Sequence, residues 1–286
     1  MALDEAAAEA VRFLLRRTEG AARARVCGRL GIDPDGPVGP WPGIGPDGRF
    51  RQTVRQAPAS VRFWLLQADD PEVNRVLFEM GALPRGLTWD LMEGLPFGGA
   101  AGGRVRRRLT GPSPQPVRSL PALLAVLREQ GGTRSLRRAR AAADELRTAA
   151  WPVVLSAHRA EPFPGFARWA LAERPDCPVE LRELFGDHAK YRNRLRAAGI
   201  LDSLAVPART WRAADALPVL GMAARAVPER LAEVEAELAS LVRSELGGHP
   251  EAWAVLARLL GESVATPPEL IVLAGALAGP DPDPGR

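Results

Sequence analysis

Along residues 58–97, apolar side chains recur in short bursts at helical spacing, and a proline opens each burst. Pro58, Pro71 and Pro84 stand thirteen residues apart. Val61, Leu65 and Leu66 share a face of the first burst, and Val73, Val76, Leu77 and Met80 share a face of the second. Positions three and four apart lie on one side of a helix, so each burst predicts an amphipathic helix of roughly two to three turns. Proline suits the first helical position because the amide it lacks would have no partner there. Gly81 and Gly94 stand where these helices must stop, since glycine takes left-handed backbone without steric cost. No stretch alternates at period two, and the predicted fold class is all-α.

The pattern recurs. "DDPEVNRVLFEMGAL" (69–83) returns in outline as "DHAKYRNRLRAAGIL" (187–201), with Asp69/Asp187, Leu77/Leu195, Gly81/Gly199 and Leu83/Leu201 coinciding at an offset of 118 residues. Further helix starts are expected near Pro152, Pro164, Pro178 and Lys190, and Leu181, Leu184 and Phe185 share a face. Helices this short do not stand alone in water, so each needs a neighbour over its apolar stripe, as stacked repeats provide. The expected architecture is an α-solenoid of short stacked antiparallel helices in two lobes.

Longer helices are predicted over 3–18, with Val11, Leu14 and Leu15 inward, and over 134–150, with Leu136, Ala139, Ala143 and Leu146 inward. Another spans 228–248, with Leu231, Val234, Leu238, Leu241 and Leu246 inward and Glu233 and Glu237 outward. Thr266 and Glu269 form a capping box at the start of the last helix. Pro/Gly-rich segments interrupt the pattern at 31–50 and 97–119. The expected organisation is an N-terminal helical lobe (1–96), a flexible basic linker (97–119), a C-terminal helical-repeat lobe (120–278) and a disordered tail (279–286).

Composition narrows the setting. Of 286 residues, 46% are apolar and 25% charged, as in a soluble globular chain. The apolar run "LIVLAGALAG" is about half the length of a bilayer crossing, so no membrane partner is expected. "MALDEAAAEA" lacks the basic-then-apolar order of a secretion signal, which predicts a cytoplasmic protein. Cys27 and Cys177 stand isolated, as buried small hydrophobes do, and no cofactor or metal is expected.

Of 38 basic residues all but Lys190 are arginine, a bias that GC-rich coding contributes to. Their layout is uneven, because residues 101–148 hold eleven arginines against Glu129, Asp144 and Glu145. Arg104, Arg106, Arg107 and Arg108, followed by Arg118, Arg134, Arg137, Arg138 and Arg140, are candidate contacts for an acidic partner or for nucleic-acid phosphates. Trp41, in the 31–50 segment, is a candidate interaction anchor, whereas the other tryptophans read as filler between helices.

No motif marks a catalytic residue. "GIGPDG" (43–48) has neither the preceding strand nor the following helix of a dinucleotide site. "DPDG" (33–36) lacks the later oxygen ligands of a calcium loop. His158, His188 and His249 are far apart in sequence, and Ser113 and Ser156 lack a nucleophile-elbow context.

With its "RPDCP" turn, "ARWALAERPDCPVELRELFGDHAKYRNRLRAAGI" (167–200) resembles actinobacterial helical-repeat proteins of the leucine-rich-repeat-variant and HEAT-like kind. The resemblance covers residues 55–97 and 150–205 and rests on turns rather than on a catalytic signature. It implies a non-enzymatic scaffold whose surface binds another protein or peptide. The alternative is a nucleic-acid-binding module using residues 104–140. Some HEAT-like proteins are DNA glycosylases that use Trp and Asp in a basic groove, but no residue motif here matches theirs.

Overall fold

The computed structural model describes residues 3, 5–33, 48–95, 97, 117–129 and 135–279. These residues form seventeen α-helices and no strand. The first eight are α1 (Glu5–Leu15), α2 (Gly20–Leu30), α3 (Arg49–Gln56), α4 (Ala59–Gln67), α5 (Pro71–Glu79), α6 (Arg85–Met92), α7 (Leu120–Arg128) and α8 (Ser135–Asp144). Then come α9 (Trp151–Ala160), α10 (Gly165–Ala172), α11 (Val179–Leu184), α12 (Ala189–Ala197) and α13 (Ala205–Thr210). The last four are α14 (Ala213–Ala226), α15 (Ala232–Leu241), α16 (Pro250–Leu259) and α17 (Pro267–Ala278).

The punctuation predicted from the sequence is present. Pro58, Pro84, Pro164 and Pro178 are the N-caps of α4, α6, α10 and α11, and Pro71 is the first residue of α5. Gly81, Gly94 and Gly199 take left-handed φ of 58°, 74° and 74°. The two copies of the repeated stretch share one physical unit. At the start, the Asp70 carboxylate accepts from the amides of Glu72 and Val73, and His188 Nδ1, at the matching position, accepts from the amide of Tyr191. At the stop, the Ala82 amide reaches back to the Leu77 carbonyl (3.1 Å), and Ile200 reaches Leu195 in the same way (2.9 Å).

Three helices differ from expectation. The first ends at Leu15. The predicted 134–150 helix stops at Asp144, because Arg174 takes its last carbonyls, and a 3-10 turn (Thr148–Ala150) then leads into α9. The 228–248 helix opens as a 3-10 turn and closes as a π-turn, Val242–Leu246, in which the Gly247 amide reaches the Val242 carbonyl (2.8 Å). That wider turn buries Val242 where Leu241 was expected and returns Leu246 to the core.

Two compact units emerge: a central unit, residues 54–202, and a terminal unit assembled from residues 1–53 and 203–286. The helices on either side of the expected 97–119 linker therefore belong to the same unit. Most of that linker, along with residues 280–286, lies outside the described residues.

In the central unit, α4 packs on α5, α5 on α6, and α6 on the 3-10 turn, while α8 lies between α7 and α10. Leu127, Ala139, Leu146, Val154, Leu171 and Leu181 form the middle of its core. The unit closes on itself: the Ser60 amide donates to the Gly199 carbonyl (3.0 Å), and the Leu201 amide donates to Ser60 Oγ (2.9 Å). Only glycine fits at 199, since a Cβ there would lie 2.8 Å from the Ala59 nitrogen.

In the terminal unit, α1 packs on α14, α2 on α16, and α17 against α16 and the π-turn. Gly275 lets that turn approach, because a Cβ would sit 2.5 Å from the Glu245 carbonyl oxygen. Trp253 is fully buried in this core.

Candidate functional site

The central unit contains a cleft of about 350 Å³. Its walls are the start of α4 (Ala59, Arg62), the turn 81–84, one face of α8 (Arg140, Ala143, Asp144) and the segment closing α10 (Ala170, Glu173, Arg174, Pro175). Each wall is held by backbone-level contacts. The closure at Ser60 fixes the start of α4, and the left-handed Gly81 fixes the turn. Pro84 offers no side-chain cap to α6, so Asp144 Oδ1 accepts from the Arg85 amide instead (3.3 Å). Gly86 lies against the Leu146 carbonyl so closely that a Cβ would sit 1.8 Å from its oxygen.

Most of the charge on these walls is already committed. Arg174 is buried and donates from Nε and Nη2 to the two oxygens of Asp176 (both 2.8 Å). Its remaining hydrogens go to the carbonyls of Ala143, Asp144 and Leu146 at the end of α8. Asp176 also accepts from Trp151 Nε1 (2.9 Å), so the buried ion pair leaves little polar capacity unmet. Glu173 accepts a two-point contact from Arg140 (2.6 and 2.9 Å) and a third bond from Arg194 (2.7 Å). Burial pushes the Glu173 carboxyl up, but the bonds from Arg140 and Arg194 outweigh it and hold the group below the usual carboxylate range.

Arg62 is different. It is half-buried at the start of α4, and its Nε is enclosed with no hydrogen-bond partner. No carboxylate among the described residues pairs with it, and burial alone lowers its pKa. The cleft therefore carries one uncommitted guanidinium.

The arginines singled out from the sequence are placed unevenly. Arg104, Arg106, Arg107, Arg108 and Arg134, and Trp41 with them, lie outside the described residues. Arg118 donates through its amide, Nε and Nη2 to the buried Glu145. Burial opposes ionisation of Glu145, yet Arg118 and Arg85 hold its pKa below the ordinary value. Arg138 pairs with Glu129, Arg140 pairs with Glu173, and Arg137 is exposed. Three of the proposed phosphate contacts thus already serve carboxylates of this chain. The sequence reading missed Arg62, Glu173 and Asp176. Asp176 lies in the "RPDCP" turn and was legible as turn chemistry, but nothing local distinguishes Arg62.

Elsewhere, the two cysteines and His158 lie in the interior. Both cysteines are buried and neither is in a disulfide, and burial pushes the Cys177 thiol up to about 12, which leaves it protonated and inert. His158 Nδ1 accepts from the Phe163 amide (3.0 Å), and the ring stacks on Phe163 with its edge to Phe185. Burial first, then Arg168 and Arg128, lower its pKa and keep it neutral. Among the described residues no cluster of three or more His, Cys, Asp or Glu could hold a metal, and no helix is long and apolar enough to cross a membrane. No protein-family model, curated protein or solved structure matches the chain.

Proposed function

We propose that this chain is a helical-repeat scaffold of the α-solenoid kind, built of short stacked antiparallel helices, that binds a segment of another protein or a peptide in the cytoplasm. The repeated cap-and-stop unit supports the reading, as does the resemblance of residues 167–200 to leucine-rich-repeat-variant and HEAT-like proteins. The observation that carries it is the cleft. Its walls come from α4, α8, α10 and the turn before α6, and one cation on them has no partner among the described residues. Polar groups placed on a concave, otherwise satisfied surface give orientation and specificity to a bound segment. The nucleic-acid reading lacks comparable support, since Arg118, Arg138 and Arg140 are held by Glu145, Glu129 and Glu173 in turn.

Peptide display on the purified chain tests the proposal, with Ala82→Trp placed to fill the cleft. Enriched peptides should bind the parent and lose binding to the variant, whose circular dichroism and melting temperature should match the parent's. Peptides that bind both proteins equally would overturn the cleft assignment. Salt-sensitive retention on DNA without any peptide enrichment would replace it with the nucleic-acid reading.

A further inference from the structure

Resting on that reading, we infer that Arg62 is the anchor of the cleft and that its ligand is a single carboxylate of the bound segment, either an acidic side chain or a chain terminus. The argument starts from the energetics of the unliganded protein. A half-buried guanidinium without a partner has lost hydration and gained nothing in exchange, so it destabilises the fold that carries it. The neighbouring arginines show how this fold normally satisfies such groups: Arg174 meets Asp176 and three carbonyls, and Arg140 meets Glu173. Arg62 stands on a wall of the same cleft with neither kind of partner among the described residues, and since its Nε is enclosed its terminal N–H groups are those a ligand can meet.

The class of ligand follows from the charge balance of the walls. Arg140 and Arg194 share Glu173, Arg174 is matched by Asp176, and Arg85 meets both Asp144 (3.8 Å) and Glu145 (3.2 Å). What remains open on the walls is the single charge of Arg62, while Asp144 and Glu173 on the same cleft are already engaged. A monoanion cancels that charge, and a guanidinium presents paired N–H groups that match a carboxylate's two oxygens. A phosphate dianion would bring a second negative charge, and among the described residues no further unpaired cation lines the cleft to meet it. The cleft thus selects carboxylate over phosphate.

The position of Arg62 makes the anchor rigid. The first turn of α4 is tied to the end of α12 through Ser60, so the guanidinium is carried by a fixed helix start. A preorganised donor loses less freedom on binding than one on a mobile loop.

The test uses the full chain with selectively labelled arginine, following side-chain Nε–H resonances and the amides of residues 81–83 by NMR. Three probes are titrated separately: N-acetylglutamate amide for a side-chain carboxylate, N-acetylglutamine for a terminal one, and inorganic phosphate. The Arg62 Nε–H and the turn amides should shift saturably with at least one carboxylate, and the better probe identifies its source. Phosphate should produce a weaker response at equal concentration. In Arg62→Gln the turn-amide shifts should vanish, the affinity of a displayed peptide should fall at least about tenfold, and thermal stability should hold or rise. A drop in stability in Arg62→Gln would assign Arg62 a structural role and overturn the inference. It would equally fail if phosphate matched or exceeded both carboxylates, or if no probe moved the Arg62 resonance. Peptides that Ala82→Trp abolishes but Arg62→Gln leaves unchanged would sink the anchor while sparing the scaffold.

Discussion

The two units of this protein are both all-helical, but they fill their interiors differently. Among the described residues, the central unit buries Ser60, Asn74, Asp90, Ser135, Glu145, His158, Arg174 and Asp176, whereas the terminal unit buries His249 and the thiol of Cys27. Short helices explain the contrast. A helix of eight or nine residues, such as α5 or α6, leaves half its backbone groups without intrahelical partners, so side chains must reach across to serve them. Asp90 does this for the Thr148 amide (2.8 Å), and Arg174 does it for the end of α8. The terminal unit has longer helices, up to fourteen residues in α14, which leave a smaller share of their backbone unpaired and pack through Leu, Val, Ala and Trp253, with Arg23 serving the carbonyls at the end of α1. The central unit is therefore specified by directional bonds and the terminal unit by shape.

The sharpest way to break this comparison is a pair of substitutions. Asp176→Ala strands the buried Arg174 charge and removes the acceptor of the Trp151 indole. It should cost about 3–5 kcal/mol. Trp253→Ala should cost a similar amount, about 3–5 kcal/mol, through an apolar cavity. Hydrogen exchange read by peptide should show protection lost over 54–202 in the first variant and over the terminal unit in the second. Identical patterns would mean that the units do not unfold separately.

Next in size is Gly86→Ala. A methyl group 1.8 Å from the Leu146 oxygen forces α6 away from the end of α8, at a cost of about 2–3 kcal/mol. The cleft should deform with it, so peptide binding should weaken alongside the melting temperature.

Acid should separate the units next. The folded pKa values of His158, Glu145 and Glu173 all lie below their ordinary values. As pH falls, the unfolded chain therefore takes up protons before the folded one, and stability declines. The His158 contribution should fade below about 6.5, and those of Glu145 and Glu173 below about 4.3. In the terminal unit the lowered carboxyls, Glu251 and Glu269, are exposed and screened by solvent. Peptide-resolved exchange across this range should show the central unit opening first, and His158→Gln should remove the upper step alone.

The smallest effect belongs to the cap of α17, where Glu269 accepts from the amide and hydroxyl of Thr266 (both 2.9 Å). Thr266→Ala should cost about 1 kcal/mol, visible as a small shift in the terminal unit's melting and none in the central unit.

These cases show what was legible in advance. Pro58, Pro71 and Pro84 marked helix starts, Gly81 and Gly94 marked stops, and the Thr266 box was readable from two residues. The predicted helix over 134–150 was too long because the residue that ends it, Arg174, is thirty positions away from Asp144. The arginine cluster was visible, but the pairing of Arg118 with Glu145 and Arg140 with Glu173 was not. The cleft and Arg62 had no local signature.

By itself, then, the sequence determined the starts and stops that proline, glycine and capping groups mark locally, as at Pro58, Pro71, Pro84, Gly81, Gly94 and Thr266, since such groups act on backbone within one or two turns. Only the tertiary structure decided which charges are spent and which one is left open. The bonds that settle this join residues as distant as Arg147 and Asp90 or Ser60 and Leu201, and their strength depends on separation in space, about which spacing along the chain says nothing.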